Sequence, residues 1–412
     1  MDVGEQGGGA AREEVASSTE NEVASFVDWL GVTEPVDRRQ LLGAIGKSML
    51  VLGAMGGLGS LLDAHASAAS VLKPTMPAAG SKTYRVAFII WINNPYWQET
   101  ALQISKILKP RLAKQGVSID MVNAGATASA VDVSSAINDA ISEGYNGLIV
   151  AGVAPSMAPV IAKAKAKGIP VFTFCCDVPD SDRVAFYGPD NYSIGRDAAK
   201  LMVQGLKEQK IMAKRNLKSG VIGIETALGV SSLVDRANGF RDEWKVIGPK
   251  NITLLEYLDA EDEAALVYSK ARDAISSYPE LVGLYVACGS QYALGDAIIE
   301  AKKVGQVVGV AHEVFQPTLL VMQKGGLWGV TNDAPIGQVI PPGDAMSALL
   351  RTGKKPAAQL NDSAKFVSKY WVYASDTAWI DQELKDWKQL TNDCKNGCPD
   401  LVKREMPKLP VA

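Results

Sequence analysis

Four acidic residues fall at the ends of apolar runs: Asp177, Glu225, Asp259 and Glu313. Two carboxylates held across a glycosidic bond are the equipment of a glycan-processing hydrolase, one as acid and the other as base or nucleophile. The same groups in a binding cleft accept hydrogen bonds from ligand hydroxyls. Spacing along the chain leaves both readings open. Other chemistries fit less well. The chain has only 2 His, His65 and His312, so a histidine-based metal centre is excluded. No nucleophile elbow, no phosphate-binding Gly-x-x-x-x-Gly-Lys and no dinucleotide fingerprint follows a strand, and no cofactor is expected. Cys175, Cys176 and Cys288 stand at strand ends and read first as small buried hydrophobes. Cys394 and Cys398 lie in a polar C-terminal loop, where an oxidising compartment favours a local disulfide.

These residues need strands and helices to place them. Tyr84–Trp91 is an apolar run bounded by loop residues, which reads as a buried strand. Asn94 then caps, and Pro95 opens, a helix reaching to about Gln115. Strands follow at Val117–Val122, Gly147–Ala151 and Pro170–Phe174, with helices at Ala130–Ser142 and Met157–Lys167, the latter closed by Gly168. After a break near Gly188-Pro189-Asp190 the rhythm resumes. Strands at Val221–Glu225, Thr253–Leu258, Leu281–Ala287 and Val307–Val310 alternate with helices near 193–210, 231–245, 262–277 and 291–303. Such alternation means right-handed crossovers and parallel sheets, so the fold class is α/β with two open parallel-sheet lobes. Ligands in such sheets sit beyond the carboxyl ends of the strands. The segments to inspect therefore include Trp91–Trp97, Cys175–Asp177, Glu225-Thr226, Asp259–Glu261, Cys288–Gln291 and Ala311–Glu313.

Charge separates the chain into two parts. The 412 residues carry a formal charge of −3, which gives no hint of nucleic acid as a partner. Residues 1–68 hold ten acidic and four basic residues, and the remainder carries a slight positive balance. Residues 1–36 are rich in Gly, Ala, Ser and Glu without periodicity and are expected to stay unfolded. Arg38-Arg39, a modest apolar run from Leu41 to Leu62 and the small-residue sites at Ala64–Ala68 together resemble a twin-arginine export signal. Residues 1–68 are thus expected to be leader and signal, cleaved near Ala68, with the mature protein in the periplasm.

Several further stretches carry a resemblance. Asn93-Asn94-Pro95-Tyr96-Trp97, Gly168–Phe174, Asp177–Arg183, Gly188–Arg196, Asp235–Phe240, Ala293–Gly295 and Val307–Gly309 occur in the order and spacing of the periplasmic sugar-binding proteins of the ribose-binding type. The chain resembles that family from about residue 82 to 373. The resemblance implies a type I periplasmic-binding-protein fold with a three-segment hinge. Lobe one would be 82–189 plus 333–356, lobe two 190–332 plus 357–378, and 379–412 a C-terminal tail. It implies a monomeric, non-enzymatic binding protein that closes on a sugar, polyol or related polar solute and serves the membrane permease of an ABC transporter. On that resemblance Asn93, Tyr96 and Trp97 contact the ligand, Asp190 and Asn191 belong to the hinge motif, Arg236 donates forked hydrogen bonds, and Asn332 supplies a polar amide.

The chain also departs from that pattern. Cys175 and Cys176 stand where the family has a hydroxyl-gripping residue, Gly289 replaces an asparagine, and Ala311 replaces an aspartate, with His312 and Glu313 beyond it. A second aromatic platform expected near Ala260 is absent. Trp91, Glu225, Glu261 and Glu313 are candidate compensations, and Cys175, Asp177, Gly289 and His312 complete the candidate contacts. Each hydrogen bond left unmade in a closed cleft costs about 1–3 kcal/mol, so the pocket is not that of an ordinary aldose binder. Alternatives are a sensor for a non-sugar metabolite or, less favoured, the hydrolase. On this reading Arg236→Ala abolishes the ligand response with little effect on the ligand-free protein.

Overall fold

The computed structural model describes residues 83–92, 94–333, 335–356, 369–394, 398 and 401–402. The expected export signal and Asn93 lie outside them, as do residues 357–368, which include most of the third lobe crossing expected around Lys354–Leu360.

The first sheet is parallel, with order β2-β1-β3-β4-β5. Its strands are β1 (Tyr84–Ile90), β2 (Val117–Asn123), β3 (Gly147–Ala151), β4 (Val171–Phe174) and β5 (Ala185–Tyr187). Every residue of β3 and β4 is buried, as central strands covered by helices on both faces require. Edge strand β2 is instead buried only at Val117 and Ile119, and Met121 and Asn123 are exposed. The crossovers are α1 (Pro95–Gln103), a π-helical turn over Ile104–Leu108, α2 (Lys109–Ala113), α3 (Ala130–Ser142) and α4 (Ala158–Ala166). Helix α1 starts where Asn94 accepts a hydrogen bond from the Tyr96 N–H and Pro95 takes the first turn. Gly168, at φ +75°, closes α4 in the left-handed region.

The second sheet has order β11-β10-β9-β8-β6-β7, parallel except for the last-formed strand β11. It contains β6 (Gly220–Thr226), β7 (Ile252–Asp259), β8 (Leu281–Val286), β9 (Val308–His312), β10 (Gly329–Thr331) and β11 (Trp371–Tyr373). Helices α5 (Asn191–Glu208), α6 (Ile211–Lys214), α7 (Ser231–Ile247), α8 (Ala264–Ser277), α9 (Gln291–Glu300) and α10 (Gln316–Gln323) cover it. Its core includes Leu201, Met202, Ile222, Ile224, Phe240, Val282, Tyr285 and Val310. Helix α11 (Pro335–Thr352) then returns to the first sheet, packing on α1, β3, β4 and β5. After β11, α12 (Thr377–Lys388) packs on α10, and its end approaches α1. Cys394 and Cys398 are disulfide-bonded, with Cα atoms 5.2 Å apart.

The chain is thus α/β with two mostly parallel sheets. The three-residue strands β5, β10 and β11 and helices α6, α10, α11 and α12 add to the elements read from the sequence. Strand β9 ends at His312, two residues later than the apolar run suggests. No helix among the described residues is long and apolar enough to cross a membrane.

One close approach sets the geometry of the site. Helices α5 and α7 cross at Gly195 and Gly239. A Cβ on Gly195 would lie 1.9 Å from the Arg236 carbonyl oxygen, and one on Gly239 would lie 2.0 Å from that of Tyr192. Only glycine permits this crossing, which brings the start of α5 against the middle of α7.

Candidate ligand-binding cleft

Arg236 lies at the centre of the arrangement, on the second turn of α7 and only 2% exposed. Its Nε donates to Asn191 Oδ1 at 2.6 Å, at the N-terminus of α5. Its two terminal nitrogens each lie 3.5 Å from a carboxylate, Glu313 Oε1 beyond β9 and Asp333 Oδ2 beyond β10. Gln291, first residue of α9, donates to Glu313 Oε2 at 2.6 Å, and His312 Nε2 is 3.4 Å from Glu313 Oε1. Gln338 of α11 donates to the Asp333 carbonyl at 2.8 Å and accepts from the Tyr96 hydroxyl at 2.9 Å. Residues from α1, α5, α7, α9, β9, the β10–α11 junction and α11 thereby form one buried polar network.

Its electrostatics follow from burial. One guanidinium faces two acids. Desolvation raises Glu313 to about 7, partly offset by Arg236 and Gln291. Asp333 rises to about 6 through desolvation and repulsion from Glu313. Burial works against the charge on Arg236, but Asp333 and Glu313 outweigh it and hold the guanidinium protonated. His312 is pushed well down by burial and by Arg236, so it is neutral at physiological pH. Asp333 Oδ1 and Thr331 Oγ1 are buried without a hydrogen-bond partner in the protein.

The two sheets meet directly at several points. Asn94 Nδ2 donates to Asp262 Oδ2 at 2.8 Å, and the other Asp262 oxygen accepts from the Gly289 N–H at 2.5 Å. Ser231 approaches the Val153 carbonyl through both its N–H and its hydroxyl. Ser232 Oγ donates to Cys176 Sγ at 2.9 Å. Tyr96 and Phe315 pack edge to face across the same gap, with ring centroids 5.6 Å apart. The cleft is closed in this structure.

Backbone conformation marks the same place. Among the described residues nine non-glycine residues have positive φ, and five of them, Cys175, Glu261, Asp262, Ser290 and Glu313, follow the carboxyl ends of β4, β7, β8 and β9. Such conformations cost about 1–3 kcal/mol each and cluster where function demands them.

Of the residues singled out from the sequence, the structure brings together Tyr96, Cys175, Asn191, Arg236, His312 and Glu313. Asn332 is buried one residue before Asp333, its N–H donating to the Tyr370 carbonyl. Gly289 contributes its N–H and its lack of a side chain. A Cβ there would lie 2.5 Å from Asn94 Nδ2 and 2.7 Å from Asp262 Oδ1. Others lie elsewhere. Asp177 is held by Arg183, Thr173 and the Val178 N–H, so its side chain braces the β4–β5 loop. Asp190 is an exposed cap that accepts from the Ser193 N–H and hydroxyl. Trp91 and Trp97 pack against each other, centroids 4.0 Å apart, and Trp97 also packs on Phe174. They form the aromatic backing of Tyr96. Glu225 is fully buried at the end of β6 with neither oxygen hydrogen-bonded, and burial raises it well above the carboxylate range.

Sequence reasoning missed Asp262, Phe315 and Gln338 as contributors, and treated Asp333 only as a chain crossing. Phe315 gives the second lobe the aromatic surface expected near Ala260, but from the loop after β9. Wedged between two acids, Arg236 carries a charge on which this buried network depends, a part that the expectation for Arg236→Ala does not include. Among the described residues, no group of three or more His, Cys, Asp or Glu side chains is arranged to hold a metal ion.

Comparison with known proteins places this geometry. No curated protein sequence matches the chain. A glucose-galactose binding protein, GanP of Geobacillus stearothermophilus, is 19% identical with a TM-score of 0.61, over 72% of this chain and 99% of its own. A carbohydrate transporter solute binding protein of Agrobacterium radiobacter, solved with D-arabinose, is 20% identical with a TM-score of 0.64, over 76% of this chain and all of its own. A putative LacI transcriptional regulator of Bacteroides fragilis, 14% identical with a TM-score of 0.59 over 72% of this chain and 99% of its own, shares the fold as well. Fold alone therefore does not choose the function. A family model, the periplasmic binding protein domain, matches residues 86–355, well over half the chain. The chain belongs to the periplasmic binding protein domain family.

Proposed function

We propose that this protein is an exported solute-binding protein that captures a small polar ligand, a sugar or polyol, between its lobes. On this reading it delivers that ligand, as a monomer, to the membrane permease of an ABC transporter. The lobes are 82–189 plus 333–356 and 190–332 plus 357–378, and the signal is removed near Ala68. The observation that carries the proposal is the Arg236 network. It gathers a forked donor, two carboxylates and three amides from both lobes into a buried space, which suits the alternating donors and acceptors of a hydroxylated solute. The solved structures support the ligand class, since their names include glucose-galactose binding and a D-arabinose complex. Closure by hinge motion buries such a ligand and creates the shape a transporter recognises.

One observation favours a nitrogen-bearing solute as a second reading. Arg236 faces Glu313 and Asp333 together, so acceptor capacity exceeds positive charge at the centre of the site. A protonated amine on a polyol or sugar would redress that balance. A thermal-shift screen of the full chain against sugars, polyols, amino sugars and aromatic amines tests both readings. A specific ligand at a hundredfold excess over its Kd stabilises by about 2.7 kcal/mol. Stabilisation by neutral sugars or polyols supports the first reading and stabilisation confined to amines the second. Stabilisation by none of them removes both.

A further inference from the structure

Cys175 and Cys176 are adjacent in sequence, and along an extended strand adjacent side chains point to opposite faces. Here they do not. Cys175 has φ +60°, in the left-handed region, immediately after β4 ends at Phe174. That turn swings the two side chains to the same side, and their sulfurs lie 3.6 Å apart. Both thiols are free and buried. Cys176 Sγ is the acceptor for Ser232 of the opposite lobe, and Cys175 is in hydrogen-bond contact with Tyr96. The pair therefore sits in the seam between the lobes, where separation of Ser232 from Cys176 uncovers it.

We propose that Cys175 and Cys176 form a vicinal dithiol site that closes to a disulfide by exchange with a small-molecule disulfide, and that takes trivalent arsenicals in its open-dithiol state. The chemistry is balanced. One cysteine thiolate attacks the reagent disulfide and releases one reagent thiol. The neighbouring thiol then attacks the mixed disulfide and releases the second, so two electrons pass from the pair to the reagent. The sulfurs must approach from 3.6 Å to about 2.05 Å. Electrostatics assigns the first attack. The contact with Cys175 and the hydroxyl of Ser232 lower the Cys176 thiol against its burial, and Arg236 lowers it further, whereas burial raises Cys175. With a trivalent arsenical oxide, both S–H bonds are exchanged for S–As bonds and one water leaves.

The reactivity of the pair does not depend on which solute the cleft holds, but its accessibility rests on the cleft reading above. The test treats the full chain with oxidised glutathione and, separately, with phenylarsine oxide. The tryptic peptide Gly168–Arg183 contains both residues and no other cysteine. We expect this peptide, blocked and mapped without reduction, to be lighter than the dithiol by two hydrogens and refractory to alkylation, with dithiothreitol reversing the change. Phenylarsine oxide should add one phenylarsenic group to the intact protein. Cys175→Ser should trap glutathione on Cys176, because the resolving thiol is gone, and should lose the arsenical. A peptide that is alkylated at both positions after oxidation, or that carries a glutathione on each, overturns the proposal. If ring closure occurs but a stabilising ligand does not slow it, the dithiol stands and the placement of the ligand cleft fails.

Discussion

Replacing Arg236 by methionine keeps most of the side-chain volume and removes the charge. This leaves Glu313 and Asp333, each 3.5 Å from the lost guanidinium, together in a buried space. At an effective dielectric of about 20, each lost attraction is about 4–5 kcal/mol before the lower cost of burying the cation is recovered. Removing one partner of a buried ion pair costs about 3–5 kcal/mol net, which lowers Tm by on the order of 10 °C. The sign of the pH dependence follows from the acids. Both have folded-state values raised above those of the unfolded chain, Glu313 to about 7 and Asp333 to about 6, even with Arg236 present. A raised carboxyl destabilises the fold above its folded value, and the penalty fades as pH falls toward the ordinary carboxylate range. The deficit of Arg236→Met should therefore be full at pH 8 and shrink to about 1 kcal/mol near pH 5. Thermal melts of wild type and variant across that range measure it. A deficit that is constant with pH, or smaller than about 1 kcal/mol at pH 8, would refute the account of the network as a cation shared by two acids.

Further predictions concern the elements around that network. Gly289→Ala places a methyl group 2.5 Å from Asn94 Nδ2 and 2.7 Å from Asp262 Oδ1, so it should part the lobes. Small-angle scattering should then show a larger ligand-free radius of gyration than wild type, while an unchanged radius would mean that this contact does not hold closure. Gly195→Ala drives a Cβ to 1.9 Å from the Arg236 carbonyl oxygen, part of the backbone of α7. Chemical denaturation should register a loss of about 3 kcal/mol or more, and a loss under 1 kcal/mol would show that the α5–α7 crossing can widen. For Glu313→Gln, the wild-type value of about 7 implies that ionising this side chain costs the fold roughly 3 kcal/mol relative to an unfolded carboxyl. The variant should be the more stable protein at pH 8 and lose that advantage toward pH 5, and melts showing no crossover with pH would contradict the assignment.

The reach of the sequence differs between fold and site for physical reasons. Strands such as Gly147–Ala151 and Leu281–Val286 are buried along their whole length, so continuous apolar runs reveal them. The three-residue strands Ala185–Tyr187, Gly329–Thr331 and Trp371–Tyr373 are too short to show a period. Arg236 and Asn191 were found through family resemblance, and the glycine crossing explains why they meet. Asp262 escaped notice because its direction depends on a left-handed backbone, φ +62°, that a non-glycine residue rarely adopts. Gln338 and Phe315 reach the site from a helix and a loop whose packing is purely tertiary. Asp177, a promising strand-end carboxylate, is instead paired with Arg183 six residues on, a partner that spacing alone did not distinguish from a ligand.

The central claim is that a small polar solute binds between the lobes at Arg236. The most direct test is a crystal structure of the protein with whichever solute stabilises it in the thermal-shift screen. The account predicts ligand oxygen or nitrogen atoms within hydrogen-bond distance of the Arg236 guanidinium and of the Glu313 or Asp333 carboxylate, with Tyr96 or Phe315 against its apolar face. A ligand bound anywhere else, with the Arg236 network unchanged and closed beneath it, would contradict the account.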